Sequence, residues 1–312
     1  MTVARANGQD QGAVDWIAVD WGTSALRVWG MAGGQALHSA RSDRGMGGLT
    51  PEGYEPALLE LVGGWLPATG TVPVIACGMV GALQGWVEAP YRAVPCAPLA
   101  PSGAVRAPVR DPRLDVRIVP GLRQDRPADV MRGEETQIAG FLAARPGWDG
   151  VVCLPGTHSK WVLLSAGEVV GFQTFLTGEL FALLSERSVL RHSVAGWDED
   201  GFAQGLDTGF AHPERLLARL FAIRAEGLLV GLDPAMARAR LSGLLIGAEL
   251  AAARPWWLGQ RVAVIGAEGP GRAYAAALTR LSVPVEQPRA EGLTLAGLVA
   301  ARVQMGQMSC AG

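Results

Sequence analysis

The chain of 312 residues is short of several things, and each shortage excludes a class of protein. Of its 27 basic residues only one, Lys160, is lysine, and the net charge near −2 gives no basic surface for nucleic acid. Four cysteines, Cys77, Cys96, Cys153 and Cys310, form no CxxC pair, which argues against structural zinc and suits a reducing compartment. His38, His192 and His212 carry no metal-ligand spacing and are expected to be structural. No uninterrupted apolar run reaches about 18 residues; the richest, 241–253, contains Glu249 and stops at Arg254-Pro255, so no membrane span is expected. The first 14 residues lack an apolar core and are expected to be a loose tail and not a signal peptide, which together with the cysteine usage places the protein in the cytoplasm.

What is present is a core-building chain: 49% hydrophobic residues and 18% charged ones, at a length suited to two domains. Residues 16–20 are apolar and rich in β-branched side chains, and end in Asp20-Trp21-Gly22-Thr23-Ser24. Further strands are predicted at 26–31 and 35–40, a helix at 54–66 and a strand at 72–77. The segment 88–124 is proline-rich and expected to be irregular except for a strand at 116–119. A helix at 134–144 follows, then strands at 151–154, 162–165 and 169–174, helices at 179–190, 215–227 and 233–253, a strand at 261–265, and helices at 272–281 and 293–303. The order strand, Gly-Thr turn, strand, turn, strand therefore occurs twice. Its turns match as well: Gly22-Thr23-Ser24-Ala25-Leu26-Arg27 against Gly156-Thr157-His158-Ser159-Lys160. Such an echo suggests duplication.

A tight turn of glycine followed by hydroxyl residues directs backbone N–H groups and hydroxyls to one point, as phosphate binding requires. Asp20 at a strand end could hold Mg2+ through water. Lys160 or Arg27 could neutralise charge on a transferred phosphoryl group. A GC-rich genome that exchanges lysine for arginine is one account of this bias; the other is that Lys160 stays because its site needs a compact ammonium and not a planar guanidinium. A third glycine cluster, Gly266 to Gly271, leads a strand into a helix and could floor a nucleobase. Glu134 and Glu135 open a helix, where acidic residues suit the dipole but could also take a proton from a substrate hydroxyl.

In this order the motifs resemble the sugar kinase/actin superfamily, and more closely the 2-dehydro-3-deoxygalactonokinases. The resemblance rests on Val19 to Ser24, Gly78-Met79-Val80-Gly81 with Gln84-Gly85-Trp86, Glu88-Ala89-Pro90-Tyr91, Pro120-Gly121-Leu122, Met131 to Gln137, Leu154 to Trp161 and Phe175 to Phe181. It implies an α/β fold of two actin-like (RNase H-like) ATPase domains with a duplicated βββαβ core and a nucleotide cleft between them. The domains are expected at 15–132 and 133–303, with flexible tails at 1–14 and 304–312. The implied activity is ATP- and Mg2+-dependent phosphorylation of the terminal hydroxyl of 2-dehydro-3-deoxy-D-galactonate; the C4 epimer, another sugar acid, and a nucleotide-driven regulator without kinase activity are the alternatives.

Carried over by position, the resemblance makes Asp20 the metal-holding carboxylate and Glu134 or Glu135 the catalytic base. Gly22, Thr23, Ser24 and Arg27 form one phosphate loop, Gly156, Thr157, His158, Ser159 and Lys160 the other, and Gly266 and Gly269 the adenosine site. Arg44, Arg123 and Arg132 are candidates for the substrate carboxylate, and Gly78, Met79, Gln84, Trp86 and Tyr91 for the sugar pocket. Ala82 and Leu83 depart from the polar pair expected before Gln-Gly-Trp, and Ala267 to Pro270 match the adenosine turn loosely. Ten tryptophans, among them Trp256-Trp257, suggest a homodimer; no nucleic-acid or membrane partner is expected.

Overall fold

The computed structural model describes residues 13–100 and 103–310. Two compact units divide the chain. The first runs up to Trp148 and takes in Gly167–Val169 and the chain from Glu291 on; the second is Asp149–Ala166 with Val170–Ala290.

In the first unit, β1 (Trp16–Trp21), β2 (Leu26–Ala32) and β3 (Gln35–Ser42) form an antiparallel meander. Helix α1 (Tyr54–Val62) then crosses over to β4 (Val72–Gly78), parallel to β1. The short strands β5 (Arg92–Ala93) and β6 (Val105–Arg106) precede β7 (Leu114–Ile118), parallel to β4, and the sheet order is β3-β2-β1-β4-β7-β6. β1 is buried on both faces, as a central parallel strand should be. Ile17, Val19 and Trp21 meet Tyr54, Ala57 and Leu58 of α1. Trp16 and Ala18 alternate to the opposite face, where Leu298 and Ala301 of the last helix, α9 (Leu293–Cys310), cover them. Helix α2 (Glu134–Ala143) packs on α9 with backbones in contact, because Gly140 faces the Leu293 carbonyl and Gly297 the Thr136 carbonyl.

The second unit repeats the topology. β10 (Gly150–Leu154), β11 (Ser159–Ser165) and β12 (Glu168–Phe175) form the meander, and β13 (Val262–Val264) and β14 (Val285–Glu286) add in parallel, giving the order β12-β11-β10-β13-β14. Between β12 and β13 come α3 (Thr177–Glu186), α4 (Glu199–Ala211), α5 (Leu216–Leu229), α6 (Pro234–Ala252) and the single turn α7 (Arg254–Trp257); α8 (Glu268–Arg280) joins β13 to β14. Two sheets with one strand order, three antiparallel strands followed by parallel ones, are the duplicated actin-like core expected from the sequence. No described helix is long and apolar enough to cross a membrane.

Several elements differ from expectation. Within the span expected to be irregular lie β5, β6 and the start of a hairpin of β8 (Leu122–Asp125) and β9 (Ala128–Met131). Helix α4 was not anticipated, because Gly201, Gly205 and Gly209 disfavour helix. They recur at every fourth position, so they form one stripe, and Gly243 and Gly247 of α6 face it. A Cβ on any of the five would collide with the partner helix backbone, so close approach outweighs the propensity cost. Helix α2 and the last helix fall in the first compact unit, whose first stretch ends at Trp148, whereas the domain boundary expected from the sequence is at 132. Helix α9 continues to Cys310, beyond the expected tail start at 304. Residues 1–12 and 311–312 of the expected tails lie outside the described residues.

Candidate active site

In the first unit the ends of β1 and β4 and the start of α2 converge. Asp20 pairs in register with Arg27 across the first hairpin, and the Arg27 guanidinium donates to Asp20 Oδ2. Asp20 is buried; desolvation pushes its carboxyl up and Arg27 pulls it back. The turn Gly22 to Ala25 closes through Gly22 N–H to Ala25 O at 2.9 Å. Its carbonyls are held from behind by Met46 N–H to Gly22 O (3.0 Å) and Gly47 N–H to Thr23 O (2.9 Å), while Thr23 and Ser24 are exposed. Gly78, at the end of β4, has φ +91°, and a Cβ there would lie 2.6 Å from Trp21 O and 3.6 Å from Asp20 Oδ1. A Cβ on Gly133, φ +107°, would lie 3.4 Å from Gly78 Cα. Only glycine lets these three backbones meet beside Asp20.

The two adjacent glutamates have opposite environments. Glu135 is fully buried, accepting from Gly133 N–H at 2.7 Å and from the Thr136 hydroxyl at 3.0 Å. Burial, and then the neighbouring Glu134 charge, push its carboxyl up to about 7. Glu134 is partly exposed and its Oε2 accepts Arg132 N–H at 3.0 Å. Cys77, the last residue but one of β4, lies in the fields of both Asp20 and Glu135; burial first, then those charges, raise its thiol well above the ordinary range.

Arg132 is buried: Nη2 donates to Ala89 O at 2.7 Å, Nε donates to Tyr91 Oη at 3.4 Å, and the guanidinium lies 4.2 Å above the Tyr91 ring. Its Nη1 has no hydrogen-bond partner among the described residues. The other two arginine candidates are engaged at the surface, Arg44 by Glu60 at 2.9 Å and Arg123 by Asp125. Trp86 belongs to the core, stacked on Tyr54 at 5.9 Å and edge-on to Trp21 at 6.2 Å. Met79 is half-buried and Gln84 exposed.

In the second unit Gly156, Thr157 and His158 form the exposed part of the β10–β11 turn. Helix α3 braces it: Glu179 N–H donates to Thr157 O at 2.7 Å, and His158 Nε2 and Glu179 Oε2 share a 2.6 Å hydrogen bond. Gly178 is the residue that lets the helix approach the Gly156 carbonyl. Ser159 and Lys160 are buried on β11. The Ser159 hydroxyl donates to Glu249 Oε2 (2.7 Å), as does Tyr274 Oη (2.5 Å), and Trp161 Nε1–H donates to Oε1 (2.8 Å). Tyr274 is thereby raised well above its usual range, by burial first and then by Glu249. Neither Glu249, Tyr274 nor Glu179 was singled out from the sequence; a carboxylate inside the apolar run 241–253 was the available signal for Glu249.

A cavity of about 690 Å3 opens beside this turn, lined by Gly156, Gly178, Phe181, Trp197, Gly269 and Tyr274 among others. That volume accommodates a drug-sized ligand. Gly269 lies on its wall in the first turn of α8, whereas Gly266 lies in the connection between β13 and α8 and packs against Pro155 and Gly271. Among the described residues no three His, Cys, Asp or Glu side chains cluster as a metal cage.

Residues 20–301 match the 2-keto-3-deoxy-galactonokinase family. A protein of Rhizobium meliloti (strain 1021), named provisionally as a 2-dehydro-3-deoxygalactonokinase, is 40% identical over 300 residues, 92% of this chain and 96% of that protein. The 2-dehydro-3-deoxygalactonokinase of Escherichia coli (strain K12) is 36% identical over 245 residues, 77% and 81% of the two chains. The crystal structure of a candidate 2-dehydro-3-deoxygalactonokinase from Sinorhizobium meliloti superposes with a TM-score of 0.84 at 38% identity, covering 92% of this chain and 95% of that one. With the paired turns, the acidic helix start and the repeated sheet already in place, these matches span nearly the whole length: the chain belongs to the 2-keto-3-deoxy-galactonokinase family of sugar-acid kinases.

Proposed function

We propose that the protein transfers the γ-phosphoryl group of ATP to the terminal (6-) hydroxyl of 2-dehydro-3-deoxy-D-galactonate, giving the 6-phosphate and ADP. The convergence of Asp20, Gly78 and the Arg132-Gly133-Glu134-Glu135 segment at one end of the first sheet carries this reading: it joins an anionic metal site, a proton acceptor and a cation on one wall.

Glu134 is the base. Its partial exposure lets it reach a substrate hydroxyl, whereas Glu135 is sealed behind it and holds the Gly133 amide and the Thr136 hydroxyl. As the substrate O6–phosphorus bond forms and the bond from phosphorus to the ADP oxygen breaks, the hydroxyl proton passes to Glu134. The Arg132 guanidinium receives the substrate carboxylate; a buried cation with an unpartnered nitrogen is costly until an anion reaches it. Tyr91 fixes the plane of that guanidinium from below.

Each exposed turn, 22–24 in the first unit and 156–158 in the second, offers amides and hydroxyls of the kind that bind phosphate oxygens, and Lys160 offers positive charge beside the second. Ser159 supports its turn through Glu249 and does not itself reach phosphate. The adenosine end occupies the cavity beside Gly269, with Phe181 and Trp197 offering aromatic surface. Asp20 would hold Mg2+ through water, and the ion would supply positive charge against the charge that develops on the phosphates. A lone carboxylate such as Asp20 fits that ion, which keeps most of its water, and cannot form a dehydrated cage. A cytoplasmic location is the corresponding expectation for an enzyme drawing on ATP.

ADP release, measured with Mg2+ and ATP alone and with each C4-epimeric 2-dehydro-3-deoxy sugar acid, tests the reading. Release with the galactonate epimer is expected. Release only with the gluconate epimer would reassign the substrate, and nucleotide binding without stimulation by either acid would overturn the kinase assignment.

A further inference from the structure

Helix α5 is apolar on two opposite faces. Leu216, Leu220 and Ile223 pack inward, with Leu220 and Ile223 buried against α6. The other side presents Leu217 (83% exposed), Phe221 (64%) and Leu228 (66%), with Ala218, Ala222 and Ala225 between them. At 100° per residue these six fall within one sector of about 140° that holds no charged residue. A helix with apolar residues on two opposite faces is normally covered on both, yet the described residues cover only one.

Two pairs of residues on and beside that face are arranged symmetrically about the helix midpoint, between Ala222 and Ile223. Leu217 and Leu228 lie equally far from it, in opposite directions. So do Arg219 and Glu226, which share one flank of the apolar sector. In an antiparallel pair of identical helices related by a two-fold axis, each residue faces the one equidistant on its mate. Leu217 then meets Leu228 and Arg219 meets Glu226, while Phe221 lies near the axis, beside Arg224 and Phe221 of its mate. The alanines between leave room for the backbones to approach. Glu226 already accepts from Arg240 Nη1 at 2.6 Å, and its carboxylate has capacity for a second cation.

We propose that the outward face of α5 is the centre of an isologous dimer of this chain, with the two helices antiparallel. The partner is a second copy because the face complements itself in both apolar and charged positions. An arbitrary partner would not require Leu217 to balance Leu228 and Arg219 to balance Glu226.

The test is solution mass by light scattering, with cysteine cross-linking to fix the register. The wild-type chain is expected at twice its 32.7 kDa mass. Phe221→Asp is expected at the monomer mass with an unchanged far-ultraviolet spectrum, and Arg219→Glu to weaken the dimer about tenfold. Leu217→Cys/Leu228→Cys is expected to oxidise to a covalent dimer. Leu217→Cys alone should not, because the two copies of residue 217 would lie about 16 Å apart along the axis at 1.5 Å per residue. A monomeric wild type, a dimeric Phe221→Asp, or cross-linking by Leu217→Cys alone would overturn the proposal.

Discussion

The Ser159 hydroxyl donates to Glu249 Oε2 at 2.7 Å across 90 residues of sequence, tying the base of the second Gly-Thr turn to helix α6. Because Trp161 and Tyr274 donate to the same carboxylate, Glu249 satisfies three buried donors at once. Buried donors left without an acceptor cost about 1–3 kcal/mol each, whereas an ordinary intramolecular hydrogen bond is worth about 1 kcal/mol. Ser159→Ala should therefore cost about 1 kcal/mol and Glu249→Leu roughly 3–5 kcal/mol, measured by thermal or denaturant unfolding. Equal losses for the two variants would mean that Glu249 is not the hub.

Glu134 and Glu135 separate by rate. Removing a general base costs about 10²–10⁴-fold in kcat, so Glu134→Gln should fall by that factor with little change in the KM for ATP. Glu135→Gln retains an oxygen for the Gly133 amide and should lose no more than about tenfold. Steady-state kinetics at pH 8 makes the comparison, and the opposite ranking would exchange the two roles.

Stability should carry the Glu135 signature in its pH dependence. The carboxyl titrates near 7 in the folded chain against an ordinary 4.5. Between those values the folded state holds the proton that the unfolded state releases, so stability is fully present below about pH 4.5 and declines as pH rises to about 7. That difference corresponds to roughly 3 kcal/mol. Glu135→Gln removes this component, so its melting temperature should change less than that of the wild type between pH 5 and pH 8, after allowance for the other titrating groups.

The elements legible in the sequence were those with a strong period. The strand WIAVDW and its echo before Gly156 announced themselves through apolar β-branched runs ending in Gly-Thr turns, and both duplicated sheets followed. Helix α4 was hidden because its glycines serve a contact with α6, and no local rule reveals a partner some 40 residues away. The β8–β9 hairpin was hidden by its charged, half-exposed strands. At the site, Asp20 and the helix start at Glu134 could be located by motif. Their environments could not: adjacent identical residues, Glu134 and Glu135, differ only through what packs over them. Likewise nothing in the composition separates Arg132 from Arg44 and Arg123, whose guanidinium groups meet surface carboxylates.

Arg132 offers a test of substrate binding separate from chemistry. Lysine would keep the charge but lose the fork to Ala89 O and the plane above Tyr91. Hydrogen bonds to charged groups contribute about 1.5–3 kcal/mol, so Arg132→Lys should raise the KM for the sugar acid about 10- to 100-fold while leaving the KM for ATP within a factor of about two. An unchanged sugar-acid KM would remove Arg132 from the pocket.

Lys160 is the converse case, a lysine in a chain that otherwise uses arginine. It is 4% exposed on β11, opposite Leu154 in the strand register. If the adjoining turn binds phosphate as proposed, the buried Lys160 serves it with a compact ammonium on a slender stem, which a planar guanidinium does not reproduce. Lys160→Arg should therefore lower kcat/KM for ATP about 10²-fold although formal charge is kept, and Lys160→Met should lower it by at least as much, consistent with loss of about 3 kcal/mol of transition-state stabilisation. Full activity in Lys160→Arg would mean that the site reads charge alone, and that the single lysine is an accident of composition.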